Sequence, residues 1–482
     1  MDMRVNTSNL RQVSKEKSLR CDCVYQNLAT KRYTSREEYY TFDELFSVVE
    51  TKVSYKDIIG DFRYCQIGDV GKDGIAHPIN LNFDNRDLLY DSYYKKIEKG
   101  DIMSVEENDI LISFLLPQDP TNKGKFLRIR ENEKDIFFST AFLRLKAKQC
   151  SQILYYCLQS LFYNDMVSIA RIRKGYTGYA TLSKDDLKDM RFSKKIIDTI
   201  VNNQKKLSDF IANKESEIDG LNVSLRTGQE IIDSVFKREF GFDYDTFEEL
   251  KTHKTYTIKQ AQVSNNPDLR FSAKFHRPAG AFVMQQLTGI TDKKIKHFLA
   301  EPIVLGASIS PSDFDENGSA YYVSMATIKT LEVELDDTQL VSPSYYESHK
   351  DKSLQKDDII IARSGVAIGK TAIVRDDFDG IFADFTMRIR FDKSKYNPMF
   401  AYYYIRSKYF QYLIEIYKKG LQNQNIFPIV IQEFPIPDIS PSEQQRIVDE
   451  IQAEMAKQDI VQNQIAKLRN QIDEIIMKII ST

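Results

Sequence analysis

This chain repeats itself at very long range, and that narrows what it can fold into. Leu19-Arg20-Cys21-Asp22-Cys23-Val24-Tyr25 stands 250 residues before Leu269-Arg270-Phe271-Ser272-Ala273-Lys274-Phe275. Asn108–Ser113 (NDILIS) pairs with Asp357–Ala362 (DDIIIA), Phe138–Leu145 (FSTAFLRL) with Phe382–Ile389 (FADFTMRI), and Gly175 with Gly420. The offset drifts only from 250 to 244, and the order is kept throughout. Any one pair could be chance; a collinear series marks a duplicated unit. At about 100–200 residues per domain, 482 residues leave room for two copies of a globular domain, each with a further segment behind it.

The segment behind each copy reads as a long helix. Every seventh residue from Ile197 gives Ile197, Gln204, Ile211, Ile218, Leu225 and Ile232, and three further on lie Ile200, Leu207, Lys214, Leu221, Gly228 and Val235. Most are apolar and the positions between are Lys, Asp, Asn, Glu and Ser, which is a heptad seam. The second copy gives Ile451, Ile465, Ile472 and Ile479 with Ile447, Val461, Leu468 and Ile475. It opens on a capping signature: Ser440 as N-cap, Pro441 in the first helical position and Glu443 at the third. At about 1.5 Å per residue, each helix would run roughly 60 Å. An exposed seam of that length invites aggregation. Packing the two helices antiparallel in a pseudo-two-fold object relieves both; two separate oligomerisation coiled coils are the alternative. The globular parts read as mixed α/β, with strand-like runs at Arg63–Val70, Asp109–Ser113, Ile136–Leu145, Tyr321–Met325, Asp358–Ala362 and Gly380–Phe391. Helical segments come next at Gln149–Asn164 and Asn397–Tyr417, and Gly241–Gln260 reads as the hinge between halves.

Lys+Arg total 67 against Asp+Glu 69, a net charge of −2, so a nucleic-acid surface would have to be local rather than a basic coat. No apolar stretch approaches the ~18–20 residues needed to cross a bilayer. The first residues lack the apolar core of a signal peptide, so a cytoplasmic location is expected. Five cysteines, Cys21, Cys23, Cys65, Cys150 and Cys157, are an odd number and no disulfide framework. Cys21-Asp22-Cys23 is too tight for the usual zinc half-site.

Three motifs suggest catalysis, and each fails on spacing or context. Gly365-Val366-Ala367-Ile368-Gly369-Lys370-Thr371 has three residues between its glycines where a P-loop needs four, and Ala372-Ile373-Val374 continues it as strand. Asn397-Pro398-Met399-Phe400 is one residue from the Asn-Pro-Pro-Phe of amino-methyltransferases and opens a helix, with no Gly-rich cofactor loop before it. Pro267-Asp268 with Asp292-Lys293-Lys294 matches the short nuclease pattern only loosely. His77, His253, His276, His297 and His349 form no close cluster, and no nucleophile–base signature is present. What remains is a binding pattern. Lys123, Lys125, Arg128 and Arg130 come after the first strand pair, Arg363 and Lys370 hold the corresponding place in the second half, and Gln422, Asn423, Gln424 and Asn425 form an amide run after Gly420. Amides bond adenine edges and arginine bonds guanine; basic loops and polar turns are also ordinary solvated surface.

Lys356–Gly365 (KDDIIIARSG) with Ile368-Gly369-Lys370 behind it resembles the GDIL-SRSG-IGK phrase of the specificity (S) subunits of Type I restriction–modification systems. Gly420, Gln424-Asn425-Ile426, Phe434-Pro435-Ile436-Pro437 and Glu443–Val448 (EQQRIV) resemble the family's next passage. The first half is similar at Gly175–Gly178 and Leu182–Leu187, but carries Phe114-Leu115-Leu116-Pro117 in place of Arg-Ser-Gly, and Ser193 opens its helix without the Glu-Gln pair. The resemblance implies an α+β chain: two mixed α/β target-recognition domains in pseudo-two-fold repeat, separated by two long antiparallel coiled-coil helices. Its parts would be recognition domain 1 over 1–192, a long conserved-region helix over 193–240, a linker over 241–260, recognition domain 2 over 261–440 and a second long helix over 441–482. Such a subunit is non-catalytic. It reads a bipartite, asymmetric site on double-stranded DNA and scaffolds two methylation subunits, which bring S-adenosylmethionine; restriction subunits can join. It binds no cofactor of its own. The specificity chain of a Type IIB-like enzyme shares this architecture, and a stand-alone nuclease or methyltransferase is the alternative of another class. With the binding pattern above, DNA contacts are expected at Lys123, Lys125, Arg128, Arg363, Ser364, Gly365, Lys370 and Gln422–Asn425, and the departure at Phe114–Pro117 leaves the exact contacts of the first domain open.

Overall fold

A computed structural model describes residues 37–481 apart from 52, 72–73, 85, 87–89, 118–124, 175–178, 254, 265–271, 326, 329–331, 336–337 and 421–423. The sequence pairings through Leu19–Tyr25 with Leu269–Arg270, and through Gly175, lie outside the described residues, as do Cys21, Cys23 and Pro267-Asp268. The chain divides into two compact units. The first comprises residues up to Ser224 together with Val461 onward; the second is Leu225–Ile460.

The strands, in chain order, are β1 Tyr39–Thr41, β2 Phe46–Val48, β3 Asp61–Cys65, β4 Ile79–Asn82, β5 Ile110–Ser113, β6 Leu115–Pro117, β7 Phe126–Arg128, β8 Ile136–Phe138, β9 Phe142–Ala147, β10 Tyr179–Thr181 and β11 Arg191–Ser193 in the first unit. In the second they are β12 Val304–Leu305, β13 Ala320–Val323, β14 Leu340–Val341, β15 Ile359–Ala362, β16 Thr371–Ile373, β17 Gly380–Phe382 and β18 Thr386–Ile389. The helices that matter below are α1 Ser151–Ser160, α2 Tyr163–Lys174, α3 Lys194–Asn202, α4 Gln204–Asn222, α5 Gly228–Phe240, α6 Tyr244–Thr252, α7 Pro398–Arg406, α8 Lys408–Tyr417, α9 Pro428–Gln432 and α10 Pro441–Ser481.

The two units share one sheet plan. The first has a four-stranded sheet in the order β2-β9-β5-β7 and a three-stranded sheet β4-β3-β8; the second has β12-β18-β15-β16 and β14-β13-β17. In each small sheet the middle strand is antiparallel to one neighbour and parallel to the other. The registers agree as well: Ile110 faces Leu145 and Arg128, and Ile359 faces Ile389 and Ile373. The central strands β5 and β15 are buried at every residue, as a strand covered on both faces must be, so they read as unbroken apolar runs rather than alternation.

The same tight turn precedes both central strands. Asn108 and Asp357 take left-handed backbone, with φ of 68° and 73°. The next residue in each case is a buried aspartate that folds back on the turn: Asp109 Oδ2 accepts from the Glu106 amide at 2.6 Å, and Asp358 Oδ2 from the Gln355 amide at 2.9 Å. Each carboxylate also holds an arginine of its sheet. Arg144 Nε donates to Asp109 at 2.5 Å, and Arg390 donates through Nε and Nη2 to Asp358, both at 2.7 Å. Buried charges persist only when paired in this way. The repeated Asn/Asp-Asp of the sequence is therefore a structural turn, not a catalytic pair of carboxylates.

The long runs Ile136–Leu145 and Gly380–Phe391 each split into two strands that enter different sheets, with turns at Ser139–Ala141 and Ala383–Phe385 between them. The helical segment Asn397–Tyr417 is α7 and α8, capped by Asn397, whose Oδ1 accepts from the Met399 and Phe400 amides.

The heptad segments depart from expectation in one half. From 441 the helix is unbroken over 41 residues, and Ser440 and Glu443 make the reciprocal cap. Ile447, Ile451, Ile465, Ile472 and Ile479 are buried along it. The 193–240 stretch, expected as one helix of roughly 60 Å, is instead α3, α4 and α5. The second break has a local cause. Thr227 and Glu230 form a capping box of their own, with the Thr227 hydroxyl accepting from the Glu230 amide and the Glu230 carboxylate from the Thr227 amide at 2.7 Å. A cap starts a helix, so α5 begins anew and α4 ends at Val223. Within the second unit α5 lies antiparallel to the start of α10. Arg238 reaches Glu450 with both guanidinium nitrogens at 2.6 Å, Arg446 pairs with Glu239, and the Arg226 amide donates to Gln458.

The stretch 241–260, expected as a linker, is partly core. Phe242, Tyr244 and Phe247 are buried, and their rings lie 4.6, 5.0 and 5.3 Å from that of Tyr409. Three large aromatics so close in sequence carry too much apolar surface to stay in solvent.

Candidate nucleic-acid interface

The motif that carried the sequence resemblance sits at the end of the buried strand β15, where three other segments converge. The Ala362 amide donates to Lys370 O and the Gly369 amide to Ala362 O, both at 2.9 Å. The Arg363 amide donates to Phe385 O, and the Ile426 amide to Arg363 O, again at 2.9 Å. Ser364 is buried and bridges Asn425, which also pairs with Lys419. Residues 369–370, 384–386, Lys419 and 425–426 are thus hydrogen-bonded, directly or through Asn425, to the short stretch Ala362–Ser364. Gly365 has φ +73° and an added Cβ would meet nothing within 4 Å, so the left-handed backbone, not lack of room, asks for glycine here.

The tip of this cradle is polar, rigid and partly open. Arg363 Nε donates to Asp384 O at 3.1 Å, which fixes the guanidinium plane. Asp384 in turn accepts from Ser308 Oγ at 2.8 Å. Gly365 and Lys370 are exposed. The Gly365–Thr371 stretch connects the antiparallel strands β15 and β16, so no helix N-terminus faces it as a P-loop requires.

The first unit builds the same cradle from different side chains. The Ser113 amide donates to Lys125 O at 2.9 Å, the Phe114 amide to Ala141 O at 3.1 Å, and the Leu182 amide to Phe114 O at 2.7 Å. Here Leu115–Pro117 continues as β6 and pairs with β10. Bond for bond, Phe114 stands where Arg363 stands, Ala141 where Phe385 stands and Lys125 where Lys370 stands.

This correspondence sorts the residues expected at the DNA face. Arg363, Ser364, Gly365, Lys370, Gln424 and Asn425 come together at one cradle. Lys125 lies at the other, with its Nζ turned to Ile67 O and its pKa held below the ordinary lysine value by burial. Lys123, Gln422 and Asn423 lie outside the described residues. Arg128, expected as a DNA contact, is not part of the cradle. It lies opposite Ile110 at the far end of β7, about 10 Å of strand from Lys125, and donates through Nη2 to both carboxylate oxygens of Glu215 on α4 at 2.8 and 3.1 Å. Glu215 accepts further from Gln152 Nε2 at 2.7 Å and Tyr156 OH at 3.0 Å. That hydroxyl's pKa is pushed well above the ordinary value by burial and then by the carboxylate. Arg130 pairs likewise with Asp219 of the same helix. Arg128 thereby binds the sheet to α4, because a guanidinium left 13% exposed needs a carboxylate. A cavity of about 800 Å³ beside them is lined by Arg63, Arg130, Arg469, Asp219 and Asp473 among others, with cations and carboxylates both present.

Sequence reasoning missed Phe385. It is 52% exposed, yet its carbonyl anchors Arg363. The sequence places it only within the strand-like run Gly380–Phe391. Among the described residues no group of three or more His, Cys, Asp or Glu could hold a metal ion, and no helix is long and apolar enough to cross a membrane.

Residues 302–470, about a third of the chain, match the family described as Type I restriction modification DNA specificity domain. The stretch runs from β12 into α10 and holds the whole second cradle. No curated protein matches the chain. Among solved structures it is similar, at 12% identity, to the HsdS subunit from Thermoanaerobacter tengcongensis over 94% of this chain and 98% of that one, with a TM-score of 0.30. It is similar at 13% identity to the Type-I restriction-modification system S subunit from M. genitalium over 93% and 97%, with a TM-score of 0.35. It is also similar, at 12% identity and TM-score 0.36, to a chain of a type I R-M system solved to explain complex assembly and conformational transition, over 92% and 97%. Through residues 302–470, the part that holds the second cradle, the chain is similar to Type I restriction modification DNA specificity domains.

Proposed function

We propose that this chain is the sequence-specificity subunit of a Type I restriction–modification complex. In this reading it performs no chemistry itself. Its two recognition domains, 1–192 and 261–440, each read a few base pairs through the cradle described above. Because Arg363 and Phe385 in one cradle are replaced by Phe114 and Ala141 in the other, the two half-sites differ, unlike the palindrome read by a true dimer. The helical segments 193–240 and 441–482 would pair as antiparallel rods that set the number of unread base pairs between half-sites, of order one helical turn or ~34 Å. Two methylation subunits carrying S-adenosylmethionine would dock on those rods, restriction subunits could join, and the complex would work in the cytoplasm. A net charge of −2 suits a subunit whose partners supply many of the phosphate contacts.

The observation that carries the reading is the DNA-specificity sequence match lying over a cradle that occurs twice. Methylome sequencing of a host with and without this chain tests it. The expected result is a bipartite, asymmetric methylated motif that disappears with the chain. Purified chain that cleaves or methylates DNA without partners would overturn it.

A further inference from the structure

Single exposed apolar side chains are common on protein surfaces, so the exposure of Phe385 alone says little. Its setting says more. The turn Ala383–Phe385 joins strands of two different sheets, and hydrogen bonds hold its backbone at each residue. The Ala383 amide donates to Val323 O, the Asp384 amide to Ala307 O, and the Thr386 amide to Ala383 O, at 2.9 to 3.1 Å. Phe385 O accepts the Arg363 amide, and Asp384 O accepts Arg363 Nε. An exposed ring is therefore held rigidly next to an arginine whose terminal nitrogens bond no described residue. The backbones of Lys370 and Asn425 are tied to the same short stretch, and Gln424 is the residue before Asn425.

We propose that Phe385 is a base-reading residue of the second recognition domain, making an apolar contact with the 5-methyl group of a thymine in the major groove, beside a base pair read by Arg363. The proposal rests on the specificity-subunit reading above. The chemistry is narrow. Among base edges only the thymine methyl offers an apolar target in the major groove, and the fork of an arginine matches guanine O6 and N7 there. With Nε already tied to Asp384, the Arg363 guanidinium presents its two terminal nitrogens in a fixed plane, the geometry a bidentate contact needs. The first cradle has Ala141 at the equivalent place, so this contact belongs to one half-site only.

The test uses the chain assembled with its methylation subunits. Bound duplexes are selected from a random pool for the wild type and for Phe385→Ala, and affinities are then compared for sites carrying thymine or uracil at each thymine of the selected motif. The wild type is expected to prefer thymine over uracil about fourfold at one position of one half-site, the worth of one buried methyl. Phe385→Ala should lose that preference, keep the other half-site and unfold at the wild-type temperature. A variant that selects the same motif with the same thymine preference overturns the role of Phe385 and leaves the specificity reading standing. A wild type that selects no motif overturns both. A variant that no longer assembles with the methylation subunits shows the ring to be a protein contact, which also overturns the proposal.

Discussion

The two cradles share their backbone and differ in what they present. In both, the residue after the buried central strand donates to a turn between two sheets and accepts from a segment some 60–70 residues on. At the first of these places the second unit has Arg363 and the first has Phe114; at the turn, one has Phe385 and the other Ala141. The paired backbone hydrogen bonds are the same in both units, while the side chains at these places differ. The anchoring of the helices contrasts in the same way. In the first unit a carboxylate hub on α4, Glu215, gathers Arg128, Gln152 and Tyr156. In the second, Phe236 of α5 lies between aromatic rings, with centroids 5.6 Å from Phe240, 5.7 Å from Phe400 and 5.9 Å from Tyr404.

Disturbing that aromatic anchor should cost the most. Phe236→Ala empties a fully buried site and should cost about 3–5 kcal/mol, measured by denaturant unfolding; a loss below about 1 kcal/mol would mean the ring stack does not hold α5. Glu215→Ala should cost about 3 kcal/mol, because it strands Arg128 in a site where its side chain is 13% exposed. The pairing of Arg128→Met with Glu215→Leu should recover most of that loss. If the double variant is as unstable as the single, the hub is not an ion-pair device. Arg363→Ala should weaken specific binding by about 1–3 kcal/mol and relax one half-site only; a uniform loss across sequences would reassign the arginine to phosphate.

Weakest of all should be a pH dependence confined to the second unit. Glu433 accepts from Lys294 and Lys296, each at 2.6 Å, and those ammonium groups bring its pKa from 4.5 to about 2. A carboxyl depressed on folding stabilises above its unfolded value and loses that contribution as pH falls from about 4.5 to about 2. The site is exposed, so the contribution is under about 1 kcal/mol. Glu433→Gln should flatten acid unfolding slightly over that interval; a variant that steepens it would show that the two lysines do not stabilise the carboxylate.

The duplication, the buried strands at 359–362 and 110–113 and the capped helix from 441 were legible in the sequence because each rests on local or collinear signals. What was not legible depends on the third dimension. Gly380–Phe391 reads as one strand, and only the separation of its halves into two sheets reveals the turn that exposes Phe385. Arg128 looks like any basic residue near a loop, and strand alternation does not say that it lies at the end of β7 nearest Glu215. The break after Val223 was readable in Thr227-x-x-Glu230, yet the heptad pattern continues through it. Periodicity reports which residues are buried, not whether the helix between them is continuous.

If two unlike cradles on one duplicated scaffold read two unlike half-sites, the halves must be exchangeable one at a time. The decisive experiment replaces residues 1–192 with the matching segment of a relative of different specificity and sequences the methylome of the host. One half of the motif should change while the other half and the spacing between them stay the same. A motif that is unchanged, or altered in both halves, by an assembled chimera would contradict the separate reading of half-sites.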